Sequence, residues 1–485
     1  MSKHKWNFNN SYQQLSNKMY SPVMPTKVLA PATVLFNKKL AVELGLVFEA
    51  ADTEFKDGVF SGNFIPEGAE PIAQAYAGHQ FGHFNILGDG RAILLGEIIT
   101  PNGSRVDIQL KGSGPTPYSR RGDGRATLRS MLREYIISEA MHGMGIASSR
   151  SIAVAITGEK VYREDMHDGA VLTRIASSHI RVGTFEYARN FLSTEELESF
   201  TNYTIRRHYP QLQGSANAAL EFLRAVVLKQ VALMVNWMRV GFIHGVMNTD
   251  NMSVAGETFD YGPCAFMNSY DTKTVFSSID TNSRYAYGNQ PQVALWNLSC
   301  LASALLPLIH SEEAIAIKMA EEVLNVFPAL YQQQYATMMA NKIGFLVSNE
   351  EIVLLISELL EWMQLNKGDY TNTFLVIQWN GKLSQPIYEQ DLFKEWLKKR
   401  EILLAKNGIS IEVATSLMQL NNPCYIPRNH LVEQALDAAC FENNYDYFNR
   451  FLSTLVQPND VVKEWNEFHM PPEVGDGVYA TYCGT

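Results

Sequence analysis

Apolar positions follow one rhythm in the first third of the chain and another in the rest. Over Arg105–Lys111 polar and apolar residues alternate singly, the period of a strand with one buried face. The preceding Ala92–Ile99 is a nearly continuous apolar run, which suits a buried strand. Pro101-Asn102-Gly103 turns the chain between them, and Leu87-Gly88-Asp89-Gly90-Arg91 is a turn signal ahead of them, so residues 88–111 predict a β-hairpin. Residues 152–156 and 170–175 are further short apolar runs, bounded by Thr157-Gly158 and Asp168-Gly169, and predict two more strands. Between these and the hairpin, residues 128–142 are helical in composition and stop near Gly143 and Gly145. Residues 37–46 carry apolar positions at helical spacing with Gly45 suited to a C-cap, which predicts an N-terminal segment packed on something larger. Beyond residue 194 the period is helical over 194–240, 294–342, 350–365, 391–406 and 429–455, and only the Gly-, Asn- and Asp-rich stretch 241–285 breaks it. The chain therefore reads as α+β: a mixed sheet-and-helix region of about 175 residues, then a larger helical part.

Composition narrows the picture. With 485 residues, 46% hydrophobic and 19% charged, the chain has material for two or three domains and a large core. No segment reaches the roughly 18 unbroken apolar residues of a membrane span; residues 296–309 come nearest and are interrupted by Asn297, Ser299, Ser303 and Pro307, as in a core helix. The first ten residues have early positive charge and no apolar stretch behind it, so neither a secretory signal nor a membrane is expected and a cytoplasmic, monomeric protein is. The net charge of −10 argues against nucleic acid as the main partner. Five cysteines, Cys264, Cys300, Cys424, Cys440 and Cys483, show no CxxC spacing and suggest neither a zinc site nor a disulfide framework. Cys483, two residues from the end, is expected to be an accessible thiol.

Several groups suit phosphoryl chemistry, which needs backbone N–H groups near phosphates, a placed cation, and oxygen ligands for a metal. Gly88-Asp-Gly-Arg91 permits close backbone approach. Lys111 closes the alternating strand and Glu134 lies 23 positions on (134 − 111) in the following helix, the order in which a kinase holds its strand lysine with a helix glutamate; a surface lysine near an unrelated carboxylate is the alternative. The more specific string is His244-Gly-Val-Met-Asn-Thr-Asp250-Asn251, followed nine residues on (260 − 251) by Asp260-Tyr-Gly262. It parallels a kinase catalytic loop and its metal-binding Asp-Phe-Gly, with the β-rich then α-rich layout of a protein-kinase-like fold. Asn251 and Asp260 are hard oxygen donors for one metal, against the plainer reading as turn residues. Val246 stands where kinases of this layout carry their catalytic Asp, and Asp250 sits beside the metal asparagine instead, which puts ordinary kinase chemistry in doubt. Arg174 and Arg181, with Arg120, Arg121, Arg125 and Arg129, are guanidinium groups suited either to phosphates or to ion pairs on a solvated face.

These strings, together with Tyr76-Ala-Gly-His-Gln-Phe-Gly82, Gln109-Leu-Lys-Gly-Ser-Gly114, Asp123-Gly-Arg-Ala126 and Ser178-His-Ile-Arg-Val-Gly-Thr-Phe185, closely resemble the SelO (YdiU) family from about residue 8 to the C-terminus. The resemblance implies a bilobal, protein-kinase-like fold that binds ATP flipped, with Mg2+ or Mn2+, and places AMP on Ser, Thr or Tyr hydroxyls of proteins. It implies Asp250 as the base, Asn251 and Asp260 as metal ligands, and Gly88, Gly90, Arg91, Lys111, Asp123, Gly124, Arg174, Arg181 and Asp260 around the nucleotide. It further implies an N-terminal extension at 1–60, a nucleotide-binding lobe at 61–180, and a helical lobe at 181–485 with its catalytic loop at 241–265. Redox control through a tail cysteine, here Cys483, also follows from it, with the partner among the other cysteines open. Transfer of UMP from UTP with manganese, a conventional phosphotransferase, and a nucleotide-binding scaffold remain as alternatives. Val246 argues against the second of these, and the set Lys111, Glu134, Asp250, Asn251 and Asp260 against the third.

Overall fold

A computed structural model describes residues 6–379, 385–459, 465–473 and 481; Cys483 lies outside them. Its strands are β1 (Tyr20–Pro22), β2 (Ala32–Phe36), β3 (Ile72–Gln80), β4 (His83–Gly88), β5 (Ala92–Ile99), β6 (Arg105–Lys111), β7 (Ala126–Thr127), β8 (Arg150–Tyr162), β9 (Met166–Ala176), β10 (Phe242–Ile243) and β11 (Ala265–Phe266). The first nine form one sheet, ordered β1-β3-β5-β6-β9-β8-β2, with β4 beside β3 and β7 beside β9. The expected hairpin is β5–β6, closed at residues 100–104, and residues 152–156 and 170–175 are parts of the longer β8 and β9. Two strands of the N-terminal segment, β1 and β2, complete the sheet at its two ends.

Strand period sends alternate side chains of this sheet to opposite faces. On β6, Ile108 and Leu110 join an apolar cluster with Trp6, Leu40, Val59 and Phe60. That cluster is the underside of α1 (Lys38–Glu43) and α2 (Thr53–Ser61), so the N-terminal segment covers one face of the sheet. Asp107, Gln109 and Lys111 point the other way, where Lys111 meets Glu134 of α3 (Leu128–Gly143) and Asp107 meets Arg207. Thr127 caps α3 by accepting the Ser130 N–H, as an N-cap threonine does.

The helical part contains α4 (Val182–Phe191), α5 (Thr194–His208), α6 (Ala218–Val240), α7 (Gln290–Ile309), α8 (Glu313–Leu324), α9 (Phe327–Lys342), α10 (Glu350–Asn366), α11 (Tyr370–Gln378), α12 (Asp391–Lys406), α13 (Ile411–Asn421), α14 (Asn429–Phe441) and α15 (Asp446–Leu455). The stretch 194–240 is two helices separated at Tyr209–Asn217, where Pro210 and Gly214 intervene. The stretches 294–342 and 429–455 divide likewise, into three and two helices. The run Tyr287–Ile309 is long and apolar enough to cross a bilayer by length and composition, yet it packs on α4, α6 and α8. Its buried Asn297 donates to the Met247 carbonyl at 3.0 Å. A polar residue that interrupts the apolar run thus ties this helix to the loop after α6.

Candidate active site

Sheet register assembles one wall of the site. β9 sets Arg174 opposite Gln109 of β6, and Lys111, two positions along, shares their face. α3 then presents Glu134. Lys111 Nζ lies 2.6 Å from Glu134 Oε2, and Arg174 donates through Nε and Nη2 to Glu134 Oε1 at 2.8 and 2.5 Å. Asp260 Oδ1 accepts from Arg174 Nη2 at 2.7 Å and from Lys111 Nζ at 3.2 Å. Two cations therefore alternate with two carboxylates. Burial alone would raise the Asp260 pKa, but Arg174, Lys111 and Arg181 outweigh it and hold the carboxyl well below its ordinary range. Glu134 is lowered for the same reason, Arg174 and Lys111 overcoming its burial.

The opposite wall is the loop between α6 and β11. Gly241, at φ +71°, ends α6 in the left-handed conformation that glycine adopts freely. β10 and β11 then pair antiparallel, closing residues 244–264 into one excursion. Val246 N–H donates to His244 Nδ1 at 3.4 Å, so the ring proton sits on Nε2 and is donated to the Phe259 carbonyl at 3.1 Å. Burial lowers the His244 pKa, which keeps the ring neutral in this pinning role. Asn251 Nδ2 donates to the Val246 carbonyl at 3.0 Å, which leaves its Oδ1 as the side-chain acceptor. Asn251 and Asp260 both border the same cavity. An amide oxygen and a carboxylate that stays ionised fit Mg2+ or Mn2+, which take hard oxygen donors.

Asp250 is wedged between backbones. A Cβ on Gly78 would lie 2.6 Å from Asp250 Oδ1, and one on Gly183 only 2.0 Å from the Ala77 carbonyl, so both positions demand glycine for space. Asp250 Oδ1 is buried without a hydrogen-bond partner. Burial raises its pKa to about 6, partly offset by the Arg181 charge. Arg181 is itself held between the rings of Tyr76 and Phe259, at 4.1 and 4.8 Å from their centroids.

A cavity of about 170 Å³ joins these walls, lined by Gly90, Arg91, Lys111, Arg174, Arg181, Asn251 and Asp260 together with Tyr76, Asp89, Gln109, Val246 and Pro263. Gly88, Asp123, Gly124 and Asp250 do not border it. Gly88 packs on the Tyr118 side chain, and Ser119 donates to the Gly90 carbonyl. The loop that carries Asp123 and Gly124 therefore lies against the Gly88–Arg91 turn. Asp123 pairs with Arg163 at 2.9 and 3.0 Å on the exposed side. Arg125 pairs with Glu159, and Arg129 with Glu433 and Asp437, so those two guanidinium groups take the ion-pair reading. Asp89 was not singled out by residue type. It accepts the Gln74 N–H at 3.1 Å, and burial raises its pKa; its place between two glycines was the only local signal. Tyr76 and Gln109 had no signal beyond their motifs, because only the sheet brings them to the cavity.

Residues 3–456 match the family model described as protein adenylyltransferase SelO. The chain belongs to the SelO family. It is 50% identical over 480 residues, 99% of its length, to proteins called protein nucleotidyltransferase YdiU from Bacillus thuringiensis (strain Al Hakam) and Bacillus anthracis (strain CDC 684 / NRRL 3495), covering 98% of each. It is accordingly an enzyme, a nucleotidyltransferase, with the bilobal α+β kinase-like fold. Among solved structures, ROP2 from Toxoplasma gondii, a virulence factor with a protein-kinase fold and no enzymatic activity, covers 69% of this chain and 87% of its own, with 11% identity and a TM-score of 0.23, too low for any argument to rest on. As a SelO-family site, the Lys111–Glu134 pair beside Asp260 has the arrangement of kinase strand lysine, helix glutamate and Asp-Phe-Gly aspartate.

Proposed function

We propose that this enzyme transfers AMP from ATP to Ser, Thr or Tyr hydroxyls of proteins. The observation that carries the reading is the pairing of a complete kinase-type cation and carboxylate network with an apolar Val246 at the kinase base position and a buried carboxylate, Asp250, four residues on. ATP would sit with its α-phosphorus toward the acceptor. Lys111, Arg174 and Arg181 would bind phosphates, with Gly88, Gly90, Arg91, Asp123 and Gly124 around the remainder of the nucleotide. Asn251 and Asp260 would hold Mg2+ or Mn2+, which when bound neutralises charge on the polyphosphate. Asp250 would take the hydroxyl proton, as a carboxylate with a pKa near 6 can at neutral pH. The hydroxyl oxygen then forms its bond to the α-phosphorus while the bond to the β-phosphate oxygen breaks and pyrophosphate leaves.

The test uses ATP labelled on the α- or the γ-phosphate, with magnesium, beside an Asp260→Ala control, following label into protein. Only α-label should transfer, and none in the control. Transfer of γ-label would make the enzyme a kinase, and preferential transfer from α-labelled UTP with manganese would make UMP the group transferred.

A further inference from the structure

Behind the wall that carries Asp250, three elements meet at His79 near the end of β3, Glu186 on α4 and Cys300 on α7. One ligand-capable atom from each lies within 4.8 Å of the other two. Glu186 is 4% exposed. Its Oε1 is bonded to His79 Nδ1, and its Oε2 is buried with no partner at all. An unpaired buried carboxylate oxygen is costly unless a donor or a cation meets it. The His79 ring is fixed edge-on against Trp296 at 5.4 Å and Phe84 at 5.5 Å, while 28% of its side chain remains open to solvent.

We propose that His79, Glu186 and Cys300 bind one divalent transition metal of the Zn2+ class, a site separate from the Asn251–Asp260 pair. Imidazole, carboxylate and thiolate together select a borderline-soft ion and disfavour Mg2+, for which the oxygen donors across the catalytic loop are suited. Tetrahedral zinc, with bonds of about 2.1 Å to N or O and 2.3 Å to S, separates its donors by about 3.4–3.8 Å, so His79 Nδ1 and Glu186 Oε1, now in direct hydrogen bond, part by about an ångström while the widest spacing, at most 4.8 Å, closes by about as much. Three protein ligands leave the fourth position to water. The ion takes the place of the Cys300 thiol proton, which is released to solvent. Its effect on the enzyme is mechanical. The His79 backbone N–H donates to Thr249 Oγ1 at 2.7 Å, and the neighbouring Gly78 touches Asp250, so the ion braces the strand on which Asp250 rests.

Full-length protein, stripped with a chelator and titrated with Co2+, should take up one ion with a thiolate-to-cobalt charge-transfer band that Zn2+ abolishes. Cys300→Ser should lose the band, and Glu186→Gln should weaken Co2+ binding about tenfold or more. Asp260→Ala should keep the band unchanged. No band in the unmodified protein, or a band that survives in Cys300→Ser, overturns the site. A second measurement needs no variant: Zn2+ should slow alkylation of Cys300 about tenfold, read by peptide mass spectrometry, without slowing that of Cys440. Equal Cys300 rates with and without Zn2+ would also overturn it.

Discussion

Asp250 is placed where it costs the fold and serves the chemistry. Its folded pKa, raised by burial to about 6 from an ordinary 3.8, means that the group favours the folded state most below the unfolded value. That contribution is lost as pH rises through about 6. Asp250→Asn should therefore stabilise the protein by roughly 3 kcal/mol at pH 8 and by little at pH 3.5, in denaturant midpoints measured across that range. The same substitution should lower transfer about 10²–10⁴-fold, and the unsubstituted enzyme should gain activity with pH through about 6. A stability change that is the same at both pH values would contradict the buried, raised carboxyl. Asp260 has the opposite character: burial raises its pKa, but Arg174 and Lys111 more than offset this, so it stays charged where Asp250 titrates.

Among the elements, β3 and α4 matter because they pass so close to the catalytic loop. Gly78 is not in a conformation that requires glycine; it is glycine because Asp250 occupies the space a side chain would need. Gly78→Ala should push the loop by a fraction of an ångström and cut the transfer rate about 10²-fold, with nucleotide affinity little changed, since Lys111 and Arg174 stand on other strands. Single-turnover rates and nucleotide binding measured side by side would separate the two, and an equal loss in both would refute this account. α6 contributes through its ending: Gly241 stops the helix and delivers the chain into the β10–β11 ribbon. The strand β3 itself was legible only as a motif, because Gly78, His79 and Gln80 break apolar alternation, whereas the strongly alternating β6 was legible as a strand.

Across the whole molecule, Arg133 of α3 joins the two halves. It donates to the Cys264 carbonyl at 2.8 Å, Asn429 at 2.7 Å and Glu433 at 2.8 Å, tying the helix that carries Glu134 to the catalytic-loop ribbon and to α14. Arg133→Ala should cost about 2–4 kcal/mol through the buried acceptors left unmet and weaken nucleotide binding as Glu134 loses its support. A loss below about 0.5 kcal/mol in denaturant unfolding would show that the link is incidental. What the sequence alone determined were features written in consecutive residues or one period: the β5–β6 hairpin, α3, the order of Lys111, Glu134, Asn251 and Asp260, and the helical second part. Tertiary structure alone decided the placing of Arg174 opposite Gln109, the holding of Arg181 between Tyr76 and Phe259, the two glycines around Asp250, and the meeting of His79, Glu186 and Cys300. Those three are separated by 107 and 114 positions (186 − 79 and 300 − 186), so no local ligand spacing marks them. A period reports which face of one element is buried; register between strands and packing between helices decide which faces meet, and no local pattern carries that information.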